Sequence, residues 1–380
     1  MLFIPQKGPA AAAIALLCGA AVAQDTVVRL GHVAPMSGEQ AHYGRDNANG
    51  ALLAVEDLNA RGITIGGKKV RFELLNEDDA ADPKQATAVA YKLVDARVNG
   101  VIGHLNSGTT IPASRIYHDA GIPQITASAT NPKYTHQGYD TAFRLMANDG
   151  QLGSRLGKYA IDTLQAKSIA VIDDRTAYGQ GVASEFIRGA RAALPGVRIS
   201  QEYTTDKATD FTALLTTIKG KHPDIIFFGG TDNVGGPMLR QMKQLRINAR
   251  FMGSDAICTT GLHELAGDAL IDDQVICLEA GVSDASEKRM AQFTERYRQR
   301  FHMDVRQYAP YVYDAVMTMA AAMQKADSAE PAKYLPELAG ISYDGITGPI
   351  AFDANGDIRD RELVLFTYKG GRKERIAVLR

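Results

Sequence analysis

The sequence predicts an α/β protein built from two doubly wound parallel-sheet lobes. Three observations carry that expectation: strands and helices alternate, the alternation restarts halfway along the chain, and the length of 380 residues suits about two domains. In the first set, Val27–Val33, Val70–Leu75, Val98–Gly103 and Ile122–Ile125 read as strands. Between them, Ala48–Leu58, Pro83–Asp95 and Ile111–Asp119 repeat apolar residues at three- and four-residue spacing. In the second set the strands are Ser168–Ile172, Val197–Tyr203, Asp224–Phe228 and Arg250–Gly253. Helices over Gly150–Leu164, Gly181–Ala193, Phe211–Lys219 and Gly235–Leu245 separate them. Such alternation favours parallel sheets covered on both faces. The last third breaks the repeat, with helices at Lys288–Phe301 and Ala309–Lys325 and strands at Gly348–Phe352, Glu362–Lys369 and Arg375–Leu379. Asp353-Ala354-Asn355-Gly356-Asp357 has a faint calcium-loop pattern without the later glutamate, and reads as a hairpin turn.

The N-terminus has the form of a secretory signal peptide. Lys7 precedes an apolar run from Ala10 to Val22, and Ala21-Val22-Ala23 offers a small-x-small cleavage site. The run is too short to span a bilayer, so residues 1–23 are expected to be removed and the mature chain to fold in an oxidising space outside the cytoplasm. With 42 basic and 43 acidic residues there is no nucleic-acid footprint and no polybasic membrane patch. Cys258 and Cys277 follow the leader, and two readings stand open: a disulfide, or two small buried side chains. The eight histidines are scattered and none pairs with a cysteine at ligand spacing, so no metal or other cofactor is expected. Signatures of nucleophile elbows, phosphate loops, zinc proteases and dinucleotide folds are absent, which argues against an enzyme.

In open parallel sheets the residues after each strand form the ligand site. Here His104-Leu105-Asn106-Ser107-Gly108-Thr109-Thr110 leads into a helix and offers hydroxyls and free N–H groups, suited to a carboxylate. Ser107 or Thr109 would otherwise serve as an ordinary helix cap. Thr126-Ala127-Ser128-Ala129-Thr130-Asn131-Pro132 forms a second hydroxyl-rich loop. Asp173–Gly179, with Tyr178, then Gly229–Asn233, with Thr231, and Gly253-Ser254-Asp255 supply carboxylates and an aromatic ring from the other half. Donors for an anion face acceptors for a cation, the complement of a zwitterion.

The same residues resemble the periplasmic leucine/isoleucine/valine-binding proteins over essentially the whole mature chain. The likeness is densest at Ala34-Pro35-Met36-Ser37-Gly38 with Tyr43-Gly44, and at Asp78-Asp79-Ala80-Ala81-Asp82-Pro83-Lys84-Gln85. It continues through Val101–Leu105 with Ser107, Pro112-Ala113-Ser114, Tyr117, Tyr178-Gly179, Phe251-Met252-Gly253 and Gly348-Pro349. The resemblance implies a type I periplasmic-binding-protein fold, two lobes joined by a three-strand hinge that close on an α-amino acid, most often a branched-chain one. Lobe 1 would be residues 24–147 plus 281–360, and lobe 2 residues 148–280 plus 361–380. It also implies a monomer that delivers its cargo to the membrane permease of an ABC importer. By resemblance, Ser107 and the Ser128–Thr130 loop meet the carboxylate. Asp255 holds the ammonium with Thr130 and the Ser128 carbonyl, Tyr178 closes over the ligand, and Tyr43, Asn106 and Tyr308 line the side-chain pocket.

Departures bear on specificity. Ala81 and Asn106 stand where the family commonly has a cysteine pair, Asp255 stands where glutamate is usual, and Thr231 replaces a clamp tyrosine. They imply a roomier and more polar pocket, and leave a polar amino acid, an amide or an aromatic acid, or a ligand sensor, as competing readings.

Overall fold

The computed structural model describes residues 1–3, 26–281 and 284–379; the expected leader, beyond its first three residues, lies outside the described residues. One sheet has the order β2-β3-β1-β4-β5-β6, from β1 (Thr26–Ala34), β2 (Thr64–Ile65), β3 (Lys68–Asp78), β4 (Gly100–Gly103), β5 (Gln124–Thr126) and β6 (Ala142–Arg144). Its pairings are parallel apart from the short β2–β3 edge. Helices α1 (Ala41–Arg61), α2 (Pro83–Asp95) and α3 (Ser107–Asp119) connect these strands.

The chain then enters a second body through α4 (Asp149–Asp162) and α5 (Ala177–Ala193), which pack together across β7 (Ser168–Asp173). Their approach is close because Gly157 and Gly189 have no side chains: a Cβ on Gly157 would lie 2.1 Å from the Phe186 carbonyl oxygen, and one on Gly189 2.1 Å from that of Ser154. The seven-stranded second sheet continues with β8 (Arg198–Tyr203), β9 (Ile225–Gly229), β10 (Arg250–Gly253) and β11 (Val275–Ala280). Helices α6 (Thr212–Gly220), α7 (Asp232–Gln244) and α8 (Leu262–Ala266) lie between these strands.

After β11 the chain returns to the first body. There α9 (Glu287–Phe301) and the largely buried α10 (Ala309–Lys325) pack on α1, followed by α11 (Pro331–Ala339). A two-stranded hairpin of β12 (Tyr343–Gly345) and β13 (Gly348–Ile350) follows, apart from both large sheets. The strand expected over Gly348–Phe352 therefore ends at Ile350, and Phe352 only bridges to Ile358 across the turn. Finally β14 (Leu363–Lys369) and β15 (Arg372–Leu379) add antiparallel strands to the second sheet. The chain thus passes between the bodies three times: after β6, after β11 and before β14.

A disulfide joins Cys258 to Cys277 on β11, across a sequence separation of 19 residues. Loop-closure entropy gives such a bridge a stabilising effect of about 3 kcal/mol. Replacing both cysteines by alanine is expected to lower the unfolding free energy by about that amount, seen as a lower urea midpoint with an equal or steeper slope, because the freed unfolded chain expands. An unchanged midpoint would mean that strain offsets the entropy term.

Candidate functional site

The carboxyl ends of both sheets face one cleft. It is lined by Tyr43, Leu105, Asn106, Ser107, Ser128, Ala129, Tyr178, Thr231, Asp255, Ala256 and Tyr308, around about 300 Å³ of space including the mouth. Of the nine residues singled out in the sequence, eight line it. Thr130 does not; it is fully buried, with its hydroxyl beside the Asp149 carboxyl.

The anion-binding end is built on α3. The helix begins at Ser107, so the stretch read as a loop before Ile111 is its first turn. Neither Ser107 nor Thr109 caps it: the N-cap is Asn106, whose side chain makes no capping bond. The Thr109 hydroxyl instead donates to the Asn106 carbonyl, and Ser107 Oγ accepts from the Asn131 N–H at 3.2 Å. The first amides of the helix therefore point out of its N-terminus, where backbone partial charge favours an anion. The Ser128 hydroxyl donates to the Leu105 carbonyl at 3.2 Å, so that loop offers a ligand carboxylate its backbone more than its hydroxyl.

Buried polar pairs that no local motif announces hold these loops. His104 bridges Asp79, at 2.8 Å, and the Tyr117 hydroxyl, at 3.1 Å, beneath the α3 entrance. Its carbonyl accepts from the Thr110 and Thr126 hydroxyls, tying the two loops together. Arg144, 0% exposed, donates to the carbonyls of Ala129 and Asn131 and to the Asp357 carboxylate. The second carboxylate oxygen of Asp357 accepts from Asn148, so the turn at 353–357 braces the site from below.

The cation-binding end is carboxylate and phenol. Asp255 is 1% exposed, and its two oxygens accept from Tyr178 at 3.0 Å and Tyr308 at 2.8 Å. Burial raises its carboxyl above the usual range, and both hydroxyls oppose that shift. Asp46 positions Tyr308 by accepting the backbone N–H groups of Arg306, Gln307, Tyr308 and Ala309 at the start of α10. The Tyr43 hydroxyl crosses to the Ala256 carbonyl at 2.9 Å. Near Asp255 lies a carboxylate absent from the sequence reading. Asp149, at the first turn of α4, is fully buried, with the Thr130 hydroxyl beside its carboxyl. Burial pushes its carboxyl up to about 8, and the negative field of Asp255 adds to the shift.

Contacts between the bodies close the cleft. His42 on α1 meets Asp232 on α7 at 3.1 Å, Asn131 donates to the Ala177 carbonyl at 2.7 Å, and Asn233 donates to Glu39 at 3.3 Å. Thr231 lines the cleft as the N-cap residue of α7, with its hydroxyl donating to Asn233.

Two sheet bodies shut around a cleft with an anion site on one wall and the Asp255 carboxylate on the other define a solute-binding clamp. The chain belongs to the periplasmic binding protein family, whose profile matches residues 27–373. It is 32% identical over 360 residues to the leucine-, isoleucine-, valine-, threonine-, and alanine-binding protein of Pseudomonas aeruginosa, covering 94% of each chain. It is 33% identical over 370 residues, 96% of each chain, to a second protein of that organism described as an amino acid binding protein. Its fold matches the branched-chain amino acid transporter substrate-binding protein of Streptococcus pneumoniae in complex with isoleucine, at a TM-score of 0.81, 27% identity and coverage of 93% and 99%. The leucine binding protein of Thermotoga maritima, at 24% identity and a TM-score of 0.84 over 93% and 98% of the chains, shares the fold. These relatives are binding proteins rather than enzymes. Among the described residues no helix is long and apolar enough to cross a membrane.

Proposed function

We propose that this chain is the periplasmic capture subunit of an ABC importer and holds an α-amino acid of branched-chain size between its two bodies. The lobes would divide at residues 24–147 plus 281–360 and 148–280 plus 361–380, with the first 23 residues removed on export. One observation carries the reading: an open helix N-terminus at Ser107 and the buried carboxylate of Asp255 line one small cleft. Burying a zwitterion is costly unless each charge finds fixed partners. The α3 amides and Ser107 answer the carboxylate, while Asp255 answers the ammonium.

Because the partners come from both bodies, the ligand favours the shut form by its differential affinity for it. The permease would read that shut surface, and the chain would act as a monomer without turnover. A thermal-shift screen over the standard amino acids, small amides and aromatic acids tests this, followed by calorimetry on the hits. Saturable binding of α-amino acids with no product formed is expected. Absence of any shift with all α-amino acids, or turnover of a bound solute, would reject the reading.

A further inference from the structure

Two helix-capping residues at the cleft do not cap. Gln40 is the N-cap residue of α1 and Asn106 that of α3, and neither side chain bonds to its own helix. Asparagine is among the best capping residues, so its side chain gives up a stabilising local role here. Instead the Asn106 Nδ2 donates to Gln40 Oε1 at 2.7 Å. That bond fixes the plane of the Asn106 amide. Its other polar atom, Oδ1, is then buried without a hydrogen-bond partner among the described residues, on a residue that lines the cleft.

The neighbouring polar groups are already committed. The Tyr43 hydroxyl donates to Ala256, Tyr308 to Asp255, Thr231 to Asn233, and Ser128 to Leu105. Leu105 and Ala256 supply apolar surface beside them. The pocket therefore offers a ligand side chain an apolar wall and one unanswered amide group. Turning both amides over would exchange the acceptor for a donor and still leave one Asn106 polar atom on the cleft. A hydroxyl, which both donates and accepts, answers either arrangement.

From the Gln40–Asn106 pair we infer that the clamp selects short hydroxylated α-amino acids, threonine above all, over their aliphatic isosteres. This rests on the amino-acid reading above and names the side chain within it. Threonine and valine share the β-branched shape and differ by a hydroxyl against a methyl. An aliphatic group placed against the buried amide leaves it unpaired, which hydrogen-bonding sites penalise strongly.

Calorimetry of threonine and valine on the mature protein, on Asn106→Leu and on Gln40→Leu is the test. Wild type is expected to bind threonine about tenfold tighter than valine or better. Asn106→Leu should bring the two affinities within about twofold, or reverse them, and Gln40→Leu, which frees the amide to turn, should narrow the ratio in part. General damage to the fold lowers both affinities together, so the ratio reports the amide alone. Wild type binding valine as tightly as threonine, or a preference that survives Asn106→Leu, overturns the inference while the amino-acid reading stands. No binding of any α-amino acid overturns both.

Discussion

Replacing Asp255 with alanine is expected to weaken α-amino-acid binding by at least ~2 kcal/mol, about 30-fold in Kd, since it strands a buried charge partner. The loss follows from geometry as much as charge. Asp255 is 1% exposed and lies where a ligand ammonium has no water to fall back on. Each oxygen accepts one tyrosine hydroxyl and keeps a further lone pair, so the carboxylate can hold Tyr178, Tyr308 and the ammonium together. Alanine removes the charge and also frees two phenols that shape the cleft. Asp255→Asn separates the contributions: it keeps a polar group beside the tyrosines and removes only the negative charge. Calorimetry should find Asn closer to Ala than to wild type if charge dominates. Unchanged affinity in Asp255→Ala would remove this residue from the site.

The fold class was legible because its cause is periodic and local. Alternating apolar strands and amphipathic helices repeat at every βα unit, and β1, β3, β7, β8, β9 and β10 all lie where apolar runs were read. Missed elements lacked such a signal. The run Val-Ile-Cys-Leu-Glu-Ala of β11 is short enough to pass for a buried helix segment, and only its pairing with β10 and β14 makes it a strand. Helix α11 carries Pro331 at its start and Pro336 inside, a pattern that reads as loop until Tyr334 and Leu338 are seen buried. Three-residue β6 has too little length for a period.

The site divides the same way. Ser107, Tyr178 and Asp255 could be read because each follows a strand, where the fold type puts ligand contacts. Asp46, Arg144 and His104 could not, since their partners lie 260, 213 and 25 residues away in sequence. Thr130 was placed in the cleft by its neighbours' chemistry, but it is buried outside the lining, with its hydroxyl beside Asp149. Asp149 was hidden for a subtler reason. An acidic residue in the first turn of a helix is what the helix dipole favours anyway, so in sequence it looks like ordinary capping beside Asn148. Its burial is what distinguishes it.

That burial gives Asp149→Asn a distinct pH signature in the ligand-free protein. With its folded carboxyl raised to about 8, the native state keeps a proton that the unfolded chain releases above the ordinary carboxylate range. Its contribution to stability is therefore fully present below about pH 4 and is lost as pH rises towards 8, by at most about 1.4 kcal/mol per unit. Carboxylates held below their usual range, such as Asp57 and Asp78, act in the opposite direction, so the informative quantity is the difference between wild type and variant. Asp149→Asn should hold its urea midpoint better than wild type between pH 5 and 8. The same carboxyl feels the charge at Asp255, so an ammonium bound there would favour its ionised form, and binding near neutral pH should release up to about one proton per ligand. Calorimetry in buffers of different ionisation enthalpy would then give heats that vary with buffer for wild type, and less so for Asp149→Asn. Parallel pH curves together with equal buffer dependence in both proteins would show that Asp149 is neither protonated in the free cleft nor engaged by the ligand.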